Sequence, residues 1–136
     1  MPEFGKKYVL DSYALLAYFQ GEASSVFVKE LIEAALYDKT TLYLSIINVG
    51  EIYYVTYKTH NKIEADNILL DIRRLPINMY KASENLVIKS AKIKAVYPIS
   101  YADSFVASLA EELNAPLVTG DPEFKLIEKE FNIIWL

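Results

Sequence analysis

Tyr97-Pro98-Ile99-Ser100-Tyr101-Ala102-Asp103 and, further on, Leu117-Val118-Thr119-Gly120-Asp121-Pro122-Glu123-Phe124 are the stretches from which the rest of this chain is read. Ser100 followed three residues later by Asp103 has the spacing of a capping box, in which the hydroxyl takes a helix amide and the acid reaches back to the cap. Ala102, Phe105, Val106, Leu109, Ala110 and Leu113 then recur at the helical period and make one apolar face, with Asp103 at its margin. Asn114-Ala115-Pro116 ends that periodicity. Leu117-Val118-Thr119 reads as a short buried strand, and Asp121 before Pro122 reads as another helix start. A carboxylate therefore stands at each helix start.

Outward from there the same pattern repeats. Residues 7–10 read as a strand, because a short β-favouring run meets Asp11-Ser12, good helix-capping types. A helix over about 13–19 is broken by Gly21, and Val28, Leu31, Ile32, Ala35 and Leu36 give a second helix from near Ser24 or Ser25. Residues 41–44 read as the next strand. Ser45 caps a helix to about residue 58, in which Asn48, Glu51, Ile52 and Val55 share a face. A helix over about 63–75 stops at Pro76, residues 77–80 form a strand, Ser83 starts a helix to about 96, and 132–135 close the chain as a strand. Short apolar strands separated by helices imply parallel crossovers, so the expected fold is α/β, a three-layer α/β/α sandwich with a mainly parallel sheet.

A chain of 136 residues with 53% hydrophobic content suits one domain with one core over 1–136. No apolar run approaches the roughly 20 residues that span a bilayer, so the expectation is a cytoplasmic protein with no membrane association. Met1-Pro2-Glu3-Phe4-Gly5 differs from the periodic chain after it and reads as partly a cloning remnant. With no Cys and one His, His60, thiolate and His-rich zinc sites are excluded. A net charge of -4 argues against nucleic-acid binding by bulk positive field, though not by a local patch.

In a parallel sheet, ligands bind at the carboxyl ends of the strands. Asp11, Glu51, Asp103 and Asp121 all fall just after a strand or in the opening turns of a helix, where they can gather on one edge. Singly, each has an ordinary explanation: Asp11 and Asp121 at cap positions, Asp103 completing a capping box, Glu51 pairing with Asn48. Together they ask for more. Ser and Asn cap as well as acids do, and capping does not place Glu51 on an apolar face. A shared cation would. Carboxylates without His or Cys are hard oxygen ligands suited to Mg²⁺ or Mn²⁺, ions that can position a water and stabilise charge in phosphodiester hydrolysis.

Val9-Leu10-Asp11-Ser12, Asn48-Val49-Gly50-Glu51, Ala102-Asp103-Ser104 and Val118-Thr119-Gly120-Asp121-Pro122-Glu123-Phe124 resemble the four acidic motifs of PIN-domain nucleases, in the family's order and over nearly the whole chain. The compact length resembles the VapC-type toxins of toxin-antitoxin pairs. The resemblance implies a PIN-like sandwich and a metal-dependent endoribonuclease acting on RNA. It makes Asp11, Glu51, Asp103 and Asp121 the catalytic metal ligands, and Ser12, Asn48 and Thr119 supporting polar groups. It also implies a small antitoxin partner and, with the apolar and tyrosine-rich helix faces, a homodimer. Tyr13 departs from the small or polar residue often found there.

Two alternatives stand beside this reading. One is a housekeeping PIN nuclease in ribosomal RNA processing. The other is a receiver-like Mg²⁺-binding signalling domain, which fits poorly because the third strand ends in Met79-Tyr80 with no acceptor Asp. Lys89, Lys92 and Lys94 read as a solvated helix face before they read as phosphate contacts, Tyr53, Tyr54 and Tyr57 as packing or a dimer surface, His60 as surface, and Phe124 as core.

Overall fold

The computed structural model describes residues 2, 3 and 5–136; Met1 and Phe4, which fall within the suspected cloning remnant, lie outside the described residues. The chain runs β1 (Lys6–Leu10), α1 (Ser12–Phe19), α2 (Val26–Leu36), β2 (Thr40–Ser45), α3 (Ile46–Thr59), α4 (Lys62–Arg74), β3 (Ile77–Tyr80), α5 (Glu84–Val96), α6 (Tyr101–Leu113), β4 (Leu117–Thr119) and β5 (Ile133–Trp135). Short 3-10 turns occupy Ala23–Ser25 and Pro122–Leu126. No helix of the described residues is long and apolar enough to cross a membrane.

The five strands form one sheet in the order β3-β2-β1-β4-β5, with every neighbouring pair parallel. Side chains alternate across it with the period of two that strands impose. Tyr8, Leu10, Leu42, Leu44 and Val118 point to one side, where they meet buried residues of α1, α2, α3 and α4, including Leu15, Leu31, Ile52 and Ile72. Val9, Leu117 and Tyr43 point to the other, against Val106 and Leu109 of α6 and Phe124 and Ile127 beyond β4. Apolar sheet faces buried on both sides are what make the strands read as nearly continuous hydrophobic runs. The result is the three-layer α/β/α sandwich.

Topology follows from that layering. Successive crossovers from β1 through β3 step one way along the sheet beneath α1–α4, then α5 and α6 carry the chain over the opposite face to β4. The reversal places a switch point between β1 and β4, whose strands pair at Val9 with Leu117 and Leu10 with Val118. Asp11 leaves one of these strands and Gly120-Asp121 the other.

One expected element differs. Asp121-Pro122 begins a five-residue 3-10 turn, not an α-helix. Residues 120–132 must cross from β4 to β5, near the minimum of about a dozen residues for a parallel crossover. Phe124 and Ile127, both fully buried, must also reach the core within that span. A multi-turn helix does not fit those two demands.

Before β4 the chain reverses at Asn114, which takes the left-handed conformation with φ of 50° and caps α6 through its amide. Asparagine tolerates this region better than residues without a short polar side chain. In urea melts, Asn114→Ala should lose about 1 kcal/mol of stability, whereas Asn114→Gly should stay within about 0.5 kcal/mol of the parent.

Candidate active site

Three carboxylates offer oxygens that all lie within 4.8 Å of one another: Asp103, Asp121 and Glu123. Asp103 sits in the first turn of α6 and is 6% exposed, while Asp121 and Glu123 open the 3-10 turn after β4 and are half-buried. Asp11, 2% exposed at the end of β1, adjoins them closely enough to feel the charge of Asp121, and Asp103 in turn feels Asp11. No ion pair among the described residues reaches any of these acids.

Local chemistry fixes each group. Asp11 caps α1, its Oδ1 accepting the Ala14 amide at 2.8 Å, and its Oδ2 accepts a short hydrogen bond from the Thr119 hydroxyl. Thr119 Oγ1 accepts the Asp121 amide at 2.9 Å. One buried threonine thus orients acids from both strands of the switch point. Asp121 Oδ1 accepts the Glu123 amide at 2.9 Å and so caps its own turn.

The expected capping box at α6 is only half formed. Ser100 Oγ accepts the Asp103 amide at 3.1 Å, as the spacing predicts. The reciprocal bond, however, is made from across the site: the Ser100 amide donates to Glu123 Oε1 at 2.5 Å. Glu123 therefore does the work expected of Asp103, and the Asp103 carboxylate turns to the acid cluster. Glu123 stands in the motif after β4, but nothing in the sequence pattern alone gives it a site role. The only local signal was a second acid two residues after Asp121.

Glu51 stands on the other flank. The Ser12 hydroxyl donates a short hydrogen bond to Glu51 Oε1, and Asn48 Nδ2 donates to Ser12 Oγ at 3.1 Å and to Glu51 Oε1 at 3.4 Å. Its charge reaches Asp11, but its carboxylate is not part of the tight trio. The structure thus brings Asp103 and Asp121 together with Glu123, and sets Asp11 and Glu51 beside them. Ser12, Asn48 and Thr119 hold the flanking acids.

Other residues singled out in the sequence lie apart from this chemistry. Lys89 pairs with Glu112 at 3.2 Å on the surface, and Lys92 and Lys94 are exposed. Tyr53 donates to Asp66 at 2.7 Å, Tyr54 and Tyr57 are exposed, and His60 is an exposed helix end. Phe124 is core.

Burial pushes the Asp11 carboxyl up to about 7 against the hydrogen bonds from Thr119 and Ala14, with the charges of Asp121 and Glu51 adding to the rise. Burial likewise pushes Asp103 up to about 7 against the Ser100 hydrogen bond, helped by Asp121, Glu123 and Asp11. Both groups are therefore partly protonated near neutrality, chiefly because burial disfavours their charged forms. An all-oxygen donor set of this kind fits a hard divalent cation such as Mg²⁺ or Mn²⁺, which would replace those protons.

A family model described as the PIN domain matches residues 8–130. No curated protein sequence matches the chain. Among solved structures, VapBC2 from Rickettsia felis bound to a DNA fragment from its promoter is 22% identical, with a TM-score of 0.70 and 94% of this chain and 97% of that chain covered. VapC20 of Mycobacterium tuberculosis, a toxin that cleaves the sarcin-ricin loop, is 12% identical, with a TM-score of 0.73 and coverage of 95% and 99%. A toxin-antitoxin complex from Klebsiella pneumoniae is 18% identical, with a TM-score of 0.65 and coverage of 93% and 95%. At these identities the likeness establishes the fold.

The raised carboxyls set a pH dependence. The native state binds protons at Asp11 and Asp103 that the unfolded chain has released, so their stabilising contribution is complete below pH about 4 and is lost as pH rises to about 7. In EDTA the parent should lose on the order of a few kcal/mol in all over that range, the two carboxyls titrating as a coupled set. Asp103→Asn should flatten the slope and match or exceed the parent at pH 7. Excess Mg²⁺ should raise the melting temperature of the parent more than that of the variant. Equal Mg²⁺ shifts, with the variant less stable in both conditions, would reduce Asp103 to a helix-end residue.

Proposed function

The chain belongs to the PIN-domain family, and on that premise we propose that it is a metal-dependent endoribonuclease, the toxin of a toxin-antitoxin pair, acting in the cytoplasm. The observation that carries this reading is the cluster of Asp103, Asp121 and Glu123 beside Asp11, gathered at a sheet switch point where no ion pair among the described residues reaches these acids. We assign Asp11, Asp103, Asp121 and Glu123 to hold Mg²⁺ or Mn²⁺, with Glu51 as the further acid on the Ser12 and Asn48 side. When bound, such an ion supplies electrostatic stabilisation to the phosphodiester under attack and activates a water.

The chain's own residues do the positioning. Thr119 locks the relative orientation of Asp11 and Asp121, and Glu123 locks the start of α6 and with it Asp103. Ser12 and Asn48 keep Glu51 aimed along the flank of the cluster. The N-termini of α1 and α6 open at the same edge, where their dipoles favour the carboxylates of Asp11 and Asp103 at those helix starts.

RNA is the proposed substrate and a small antitoxin the proposed partner, supported by relatives of the same fold that cleave the sarcin-ricin loop or occur in a toxin-antitoxin complex. A homodimer is proposed from the exposed Tyr54, Tyr57, Ile63 and Leu70 on α3 and α4. Sedimentation at micromolar concentration should show the dimer; monomer alone would remove that part.

Incubation with total RNA in Mg²⁺, Mn²⁺ or EDTA, followed by mapping of fragment ends, tests the activity. Cleavage should fall at one or a few discrete sites and vanish in EDTA. Asp121→Asn should lower the rate at least about 100-fold, the order expected when charge stabilisation in a site is lost, while leaving the melting transition cooperative. Cleavage undiminished by EDTA would defeat the metal-dependent mechanism.

A further inference from the structure

One aromatic ring at the acid site has no place in the machinery described above. Tyr13 lies in the first turn of α1, two residues after Asp11, and is 38% exposed. Its ring rests on the backbone of Gly120: a Cβ built there would lie 2.9 Å from Tyr13 Cζ and 3.0 Å from Cδ1, with Cε1 closer still. Gly120 is not among the glycines with positive φ, so the backbone does not demand glycine at this point. The tyrosine ring does.

Gly120 separates Thr119, which orients Asp11 and Asp121, from Asp121 itself. Its occupant is therefore fixed at the lip of the acid cluster. That lip is a poor place to hold a polyanion by charge, because the neighbouring side chains are acids and the chain carries a net charge of -4. An unstacked base offers another handle, since it lies on an aromatic face without regard to the sign of the surroundings.

We propose that Tyr13 is a substrate-binding residue whose ring carries the splayed base of a nucleotide next to the bond that is cut, so that the site takes single-stranded or loop RNA and not duplex. The proposal rests on the nuclease reading above. It needs the ring and not the hydroxyl, which separates it from any proton-transfer role.

A cleaved segment found by end mapping of total RNA, synthesised as a short single strand and also annealed to its complement, is the probe. Steady-state cleavage should give Tyr13→Ser a KM raised roughly ten-fold, as loss of one base-ring stack implies, with kcat within about two-fold of the parent. Tyr13→Phe should behave as the parent. Gly120→Ala, whose Cβ drives the ring off its seat, should shift KM in the same direction as Tyr13→Ser. Tyr37→Ser, at the far end of α2 and exposed, should change nothing. The duplex should be cut much more slowly than the single strand.

An unchanged KM in Tyr13→Ser, a Tyr13→Phe variant as impaired as Tyr13→Ser, or equal cleavage of duplex and single strand would overturn the proposal while leaving the nuclease reading intact. A parent protein that cuts no RNA in any metal would overturn both.

Discussion

Between β1 and β4 the crossovers change from one face of the sheet to the other, and on that reversal the acid site depends. At the reversal the two connections leave in opposite directions, and the strand ends between them stay open. Asp11 and the Gly120-Asp121 pair are the first residues past those ends. The sheet therefore brings together acids more than a hundred residues apart in the chain without any direct attraction between them.

What holds like charges there is a set of hydrogen bonds from neutral donors. Two unit charges about 5 Å apart repel by roughly 3 kcal/mol at an effective dielectric of about 20. Hydrogen bonds to carboxylates contribute about 1.5–3 kcal/mol each, so the bonds from Thr119, Ala14 and the Ser100 and Glu123 amides are of the size needed to offset it. Burial then decides the protonation state. Asp11 and Asp103, the two most enclosed acids of the set, are the ones raised to about 7. The site is thus assembled by the fold, at some expense in stability near neutral pH, ahead of any cation.

Much of this could be read from the chain because the local signals agreed with the tertiary ones. Pro76 and the Pro116 turn bracket strands read to the residue at Ile77–Tyr80 and Leu117–Thr119, and Ser45, Ser83 and Ser100 all cap the helices expected of them. Glu51 could be singled out because it shares a helix face with Ile52 and Asn48. Two features escaped. The helix expected after Pro122 is a 3-10 turn, since its length is set by where β5 must lie and not by its own residues. Glu123 was hidden because its partner, the Ser100 amide, is 23 residues away in sequence. The local spacing pointed to Asp103 for that bond, and nothing local could show that a second acid would arrive first.

Capping and metal binding are therefore not rival readings of these acids. A carboxylate has two oxygens with about four acceptor positions, and a cap uses one of them. Asp11 shows how the two roles combine: Oδ1 takes the Ala14 amide, Oδ2 takes the Thr119 hydroxyl, and each oxygen keeps acceptor capacity. The cap removes rotational freedom that a ligand would otherwise have to remove on binding, so a capping acid is better prepared for a cation than a free one. Asp103 reaches the same end differently, because Glu123 relieves it of the reciprocal bond to Ser100. A helix start that accepts its amide bond from a neighbouring segment can direct its own acid elsewhere.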